Sequence, residues 1–178
     1  MLLVRLQLSF QIVAPEVDES PLQGESPLAL ALRLAAAKAQ RVAQLYQNAL
    51  IIGSDQVCAL GAELLGKPGT HANAVAQLRK LSGQQACFYT ALALLNTNTG
   101  RLQQAHDTTQ VHFRDLSQAQ IETYVARDKP YDSAGSAKAE SLGIAIVESI
   151  SSNDPSAIIG LPLIKLVSLL ANEGIAIL

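Results

Sequence analysis

An aspartate inside an apolar run is the first feature of this chain that calls for a chemical explanation. Asp55 follows Ile51, Ile52, Gly53 and Ser54 and precedes Val57 and Cys58, neighbours that argue for a buried strand. A carboxylate out of water is costly unless it is paired or holds a cation. Asp55 is therefore either satisfied structurally or placed for chemistry. Gly53 favours the second option: a residue without Cβ lets backbone come close to a ligand, and open α/β sheets bind ligands along their edges. Other chemistries find less support. His71, His106 and His112 have no HxxxH or HxH spacing, so no preformed zinc site is readable. Cys58 and Cys87 are too few for a disulfide framework and too far apart for a CxxC pair, and read as buried small side chains. Ser54 and Ser136 have no His or Lys close in sequence to activate them.

The elements that must carry Asp55 alternate in type along one α/β unit, with no internal repeat or low-complexity tract. Ser9–Ala14 is a β-like run ended by Pro15, and the acidic, Pro- and Gly-containing stretch after it is a loop that includes Glu19. Ser26-Pro27 opens a helix to about Tyr46, with Lys38 and Arg41 on its more polar side. Ala49–Leu60 is a strand, Gly61, Gly66 and Pro68 mark turns, and Thr70 caps a helix over 71–81. Cys87–Leu95 and Leu102–Phe113 flank the turn-rich Asn96–Gly100 as a hairpin, and Ser117 with Gln120 forms a capping box for a helix reaching Ala126. A loop over 129–136, a strand over Gly143–Ile150 and a last helix over Leu161–Asn172 complete the pattern.

Composition bounds the function. At 178 residues, 49% hydrophobic and 16% charged, the chain has the size and make-up of one folded domain. No apolar stretch reaches the roughly 18 residues of a spanning helix. The start, with Arg5 inside it, has neither a basic leader nor a small-residue cleavage site, so a cytoplasmic location is expected. A net charge of −2 provides no field for a nucleic-acid duplex, and 4% aromatics leave few stacking platforms for a single strand. Any nucleotide partner should be small.

Five motifs in order, Ile51-Ile-Gly-Ser-Asp-Gln-Val57, Gly66-Lys67-Pro68, Phe88-Tyr89-Thr90, Ala134-Gly135-Ser136 and Gly160-Leu161-Pro162, together resemble the Maf family of nucleotide pyrophosphatases. The resemblance covers nearly the whole chain from Pro15 onward. It implies a single domain over 1–178 with a mixed, elongated central sheet flanked by helices, as in inosine triphosphatase. It also implies cleavage between the α and β phosphates of a nucleoside triphosphate with a divalent metal, Mg²⁺, Mn²⁺ or Co²⁺. Gln56 after the acid and Glu140 after the Ala-Gly-Ser turn are similar to the subgroup that hydrolyses 7-methyl-GTP, whereas the dTTP and UTP subgroup has Thr and Gln there. By the same resemblance Asp55 activates water, directly or through the metal. Lys38 and Lys67 face the phosphates, and Gln56 and Glu140 read the base. Glu19 either contacts metal or is simply hydrated.

The chemistry is compatible, because a polyanion must be screened, a water deprotonated and the leaving pyrophosphate stabilised in one cleft. A non-catalytic, nucleotide-binding regulator of cell division is the reading from another class, and the resemblance leaves room for a homodimer. The family pattern opens with a Ser-x-Ser-Pro-x-Arg-Arg phosphate loop that has no match here. Residues 1–10 look like the end of the helix after that loop and the strand beyond, as if the chain began about a dozen residues late.

Overall fold

A computed structural model describes residues 2–178. Four α-helices and five strands alternate along it: α1 (Pro27–Ala43), β1 (Leu50–Leu60), β2 (Glu63–Leu65), α2 (His71–Leu81), β3 (Gln85–Asn96), β4 (Leu102–Phe113), α3 (Gln118–Asp128), β5 (Val147–Ser151) and α4 (Leu163–Ala171). The strands form one sheet in the order β2-β1-β3-β4-β5, so the α/β class with a central sheet and flanking helices is as expected.

Local chemistry explains the helix starts. The Ser26 and Thr70 hydroxyls each accept a hydrogen bond from a first-turn N–H, at Ala29 and Asn73, and Ser117 and Gln120 cap α3 reciprocally. α4 begins two residues later than its apolar pattern suggests. Its first turn is fixed by the buried Asp154, whose carboxylate accepts from Ile164 N at 2.7 Å.

The sheet is antiparallel where the resemblance implied a mixed one. β1–β2 and β3–β4 are joined by tight turns, which permit only antiparallel pairing. Thr97 N at the end of β3 donates to Ala49 O at the start of β1, and β5 runs antiparallel to β4.

Two expected strands differ. Residues 8–22 have no regular structure, and a 3-10 turn at Leu3–Leu6 precedes them. The alternation in Ser9–Ala14 finds no partner in the sheet, and an unpaired strand has no ladder to stabilise it. At the other end, Leu142–Ala145 is a 3-10 turn and the strand starts only at Val147. Gly143 explains this: its N–H bonds the Lys138 carbonyl, and a Cβ there would lie 2.3 Å from that oxygen. The chain is folded back on itself where an extended run was expected.

Residues group into two compact units. One holds the chain up to Asp55 with Thr90–Asp107 and Asp154–Leu178, and the other holds Gln56–Tyr89 and Thr108–Asn153. The first is centred on Leu92 and Leu94 of β3 against Leu163, Leu166 and Leu170 of α4. In the second, α2 packs against α3, and Leu78, Leu81, Ile121 and Val125 are fully buried or nearly so. Among the described residues no helix is long and apolar enough to cross a membrane.

Candidate functional site

The first unit brings three of the expected residues together, two acids around one cation. Lys38 Nζ lies 2.5 Å from Asp55 Oδ1 and 2.7 Å from Glu19 Oε1. The Asp55 side chain is only 9% exposed, that of Lys38 18% and that of Glu19 41%. Helical geometry corrects the sequence reading of Lys38. Standing three residues after Ala35 and four after Leu34, both buried, it continues the apolar stripe of α1 instead of lying on the polar side. Burial opposes its charge, but the hydrogen bonds it donates to Asp55 and then Glu19 outweigh that and hold the ammonium above its usual pKa. Lys38 is therefore a cation throughout the neutral range.

Strand β1 delivers Asp55 to that point through the two residues before it. A Cβ on Gly53 would lie 2.3 Å from the Ala35 carbonyl and 2.8 Å from Ala39 N. The bare glycine thus admits helix α1, and with it Lys38, where the sequence had suggested room for a ligand. Ser54 Oγ lies 2.8 Å from Ala91 O and 2.7 Å from Gly160 O. Its single proton fastens β1 to β3 or to the Gly-Leu-Pro turn, a tether with no signature in sequence. β2 pairs with Cys58–Leu60, so among the described residues the stretch of β1 through Asp55 has β3 on one side and no strand on the other.

Glu19 reaches Lys38 from an irregular segment because Arg33 pins that segment to α1. The Arg33 guanidinium bonds both oxygens of Glu25, at 2.7 and 2.8 Å, and Nη2 also donates to Ser20 O. The hydrogen bond from Arg33 holds the Glu25 carboxyl at about 2, well below the ordinary 4.5. A depressed carboxylate contributes stability above its unfolded pKa that is lost as pH falls through the folded value. Amide protection over residues 16–25, measured against the intrinsic exchange rate at each pH, is therefore expected to fall between about pH 4.5 and 2, ahead of global unfolding, and uniform protection down to acid unfolding would contradict this pin.

Three expected residues belong to the second unit. Gln56, next to Asp55 on β1, is half-buried. Lys67 is exposed in the turn between the buried Leu65 and Pro68. Glu140 is exposed after the Ala-Gly-Ser turn. Lys138, its nearest cationic neighbour in sequence, pairs with Asp132 at 2.9 Å, and its hydrogen bond depresses the Asp132 pKa. Among the described residues no three His, Cys, Asp or Glu side chains cluster to hold a metal. The histidines behave as surface groups, His71 with Glu122 and His112 with Glu148, and both cysteines are free thiols.

Comparison with known proteins identifies the family. The family model described as "Maf-like protein" matches residues 1–173. A protein of Thiobacillus denitrificans named 7-methyl-GTP pyrophosphatase is 54% identical over 99% of this chain and 88% of its own length. Proteins of the same name from Cupriavidus metallidurans and Vibrio vulnificus are 50% and 49% identical, covering 97% and 99% of this chain and 87% and 91% of theirs. With the family model spanning residues 1–173 and relatives of about 50% identity covering nearly the whole chain, the chain belongs to the Maf-like family.

Proposed function

We propose that this chain is a cytoplasmic nucleoside triphosphate pyrophosphatase that hydrolyses 7-methyl-GTP to 7-methyl-GMP and pyrophosphate, removing a modified nucleotide from the pool. The observation that carries the reading is Lys38 held between Asp55 and Glu19 in a chain whose relatives bear that name.

A phosphate arriving at Lys38 competes with Glu19, the more exposed of its two acids, for the ammonium. The phosphate that draws the ammonium toward itself also loosens Asp55, which accepts a proton from water as the water oxygen bonds to phosphorus; the anhydride P–O bond between the α and β phosphates breaks, its electron pair leaving with the expelled phosphate oxygen, and the monophosphate and pyrophosphate result. Lys67 provides a second compact positive charge for the phosphates, meeting them alike in the bound triphosphate and in the departing pyrophosphate. A divalent cation, when bound, screens the phosphates and lowers the pKa of water. Asp55 and Glu19 are the residues that would hold one, since Mg²⁺ is typically bound by one or two carboxylates together with substrate phosphates; both now pair with the Lys38 ammonium, which would have to move to the phosphates to free them.

Base choice rests on Glu140 and Gln56. N7 methylation makes the guanine ring cationic, and its Watson–Crick edge presents N1–H and N2–H₂ donors. One carboxylate can accept both while neutralising the ring, and the Gln56 amide adds a further donor or acceptor. The test is pyrophosphate release from 7-methyl-GTP, GTP, dTTP and UTP with added metal. Fastest turnover of 7-methyl-GTP is expected; preference for dTTP or UTP, or binding without release, would displace the proposal. Glu140→Gln should reduce the preference for 7-methyl-GTP by about tenfold or more, and an unchanged ranking of nucleotides would remove Glu140 from base recognition.

A further inference from the structure

Helix α2 carries an amide that the reaction above does not use. Half-buried Gln77 accepts from Ser136 Oγ through Oε1 at 2.5 Å and donates from Nε2 to the Gly66 carbonyl at 3.0 Å. That carbonyl is half of the peptide bond that Lys67 completes. The rest of the same turn is also held: Asn73 Nδ2 donates to Pro68 O at 2.9 Å, and Gly69 N–H donates to Tyr131 O at 3.0 Å. Its backbone is thus tied while the Lys67 side chain stays exposed.

The partner turn needs holding from outside. Ser136 is fully buried at φ 55°, a left-handed conformation that non-glycine residues adopt at a cost. Gly135 before it has φ 65°, and a Cβ there would lie 2.6 Å from Cys58 Sγ. The chain then runs four residues on to Glu140. One side chain therefore joins the peptide before Lys67 to the turn before Glu140.

We propose that Gln77 is a positioning residue that keeps the Lys67 turn and the Ser136 turn in one register, so that the ammonium meets the phosphates and Glu140 meets the base of the same nucleotide. The proposal rests on the roles given above to Lys67 and Glu140. The two ends of the amide act separately, which makes the claim divisible. Gln77→Met retains most of the length and loses both bonds. Gln77→Glu keeps an acceptor for Ser136 and loses the donor to Gly66, and Ser136→Ala does the reverse.

Steady-state kinetics on 7-methyl-GTP and GTP separate these variants. Gln77→Met is expected to raise the KM for 7-methyl-GTP about tenfold with kcat within about twofold, and to narrow the preference over GTP. Gln77→Glu should raise KM and keep the preference; Ser136→Ala should narrow the preference and keep KM. A merely structural role would lower the melting temperature and the active fraction, leaving the KM and preference of the remaining enzyme unchanged, and that result in all three variants overturns the proposal. Amide exchange tests the tether without nucleotide. Exchange at Lys67, Gly69 and Tyr131–Ser136 should speed by about tenfold in Gln77→Met while α4 keeps its rates. Unchanged exchange overturns the tether. A native chain inactive on every triphosphate, with exchange responding as expected, would instead bring down the functional reading and the catalytic meaning of Gln77 with it.

Discussion

Replacing Asp55 by Asn is expected to lower kcat for 7-methyl-GTP by about 10²–10⁴-fold, the range that a positioned general base contributes, while the protein still folds. The asparagine carbonyl can still accept from Lys38 at the position of Oδ1, 2.5 Å away, and Glu19 continues to balance the ammonium. Shape and most of the pairing survive; the proton acceptor does not. Turnover within about threefold of the parent in a variant that melts normally would exclude Asp55 as the base, since that corresponds to less than about 1 kcal/mol of barrier. If instead kcat falls and also recovers with rising pH, a second group is taking the proton, and the mechanism would have to be rebuilt around it.

Gly53→Ala is expected to be the most damaging single methyl group in the first unit. The new Cβ would meet the Ala35 carbonyl at 2.3 Å and Ala39 N at 2.8 Å. Both are backbone atoms of a regular helix and cannot rotate away. α1 must lift from β1, at a cost of about 3 kcal/mol by the upper range for overpacked cores. For a chain of this size that is roughly a 10 °C fall in melting temperature. Activity should fall further than stability explains, because Lys38 immediately precedes Ala39 and moves with the helix. Gly66→Ala is the matched control: nothing lies within 4 Å of its Cβ and no left-handed φ forbids it, so its melting temperature should stay near the parent value. Equal melting of the two variants would mean that α1 does not bear on β1 as described.

Which features could be read in advance follows from how local their causes are. The starts of α1, α2 and α3 are legible because a cap and the N–H that donates to it lie within three residues, as at Ser26 with Ala29 and Ser117 with Gln120. The start of α4 is not, since the Asp154 carboxylate that fixes it lies ten residues upstream of Ile164. Ser9–Ala14 misleads for a related reason: alternation marks a strand only where a neighbour pairs with it, and pairing is decided elsewhere in the chain.

The same distinction runs through the candidate site. Asp55 announces itself as a carboxylate among Ile51, Ile52, Val57 and Cys58. The burial of Lys38 depends on which face of α1 meets the sheet, and the small side chains around it, Ala35, Ala36, Ala37 and Ala39, leave that face weakly marked. Gln77 is invisible in sequence because an ordinary helix-surface glutamine finds its partners 11 and 59 residues away. The resemblance carries Gln56, Lys67 and Glu140 by position; the packing adds what Gly53 is for.

Two carboxylates around one ammonium leave Glu19, Lys38 and Asp55 with one net negative charge. Lys67 only brings that sum to zero, so a free nucleotide meets no net attraction there, on a chain already negative overall. Ionic strength should then help the encounter more than hinder it, the opposite of a site built to attract anions by long-range steering. Discrimination of this kind favours a visitor that brings its own counter-ions or a cationic ring, and leaves the abundant unmodified polyanions of the cell at a kinetic disadvantage.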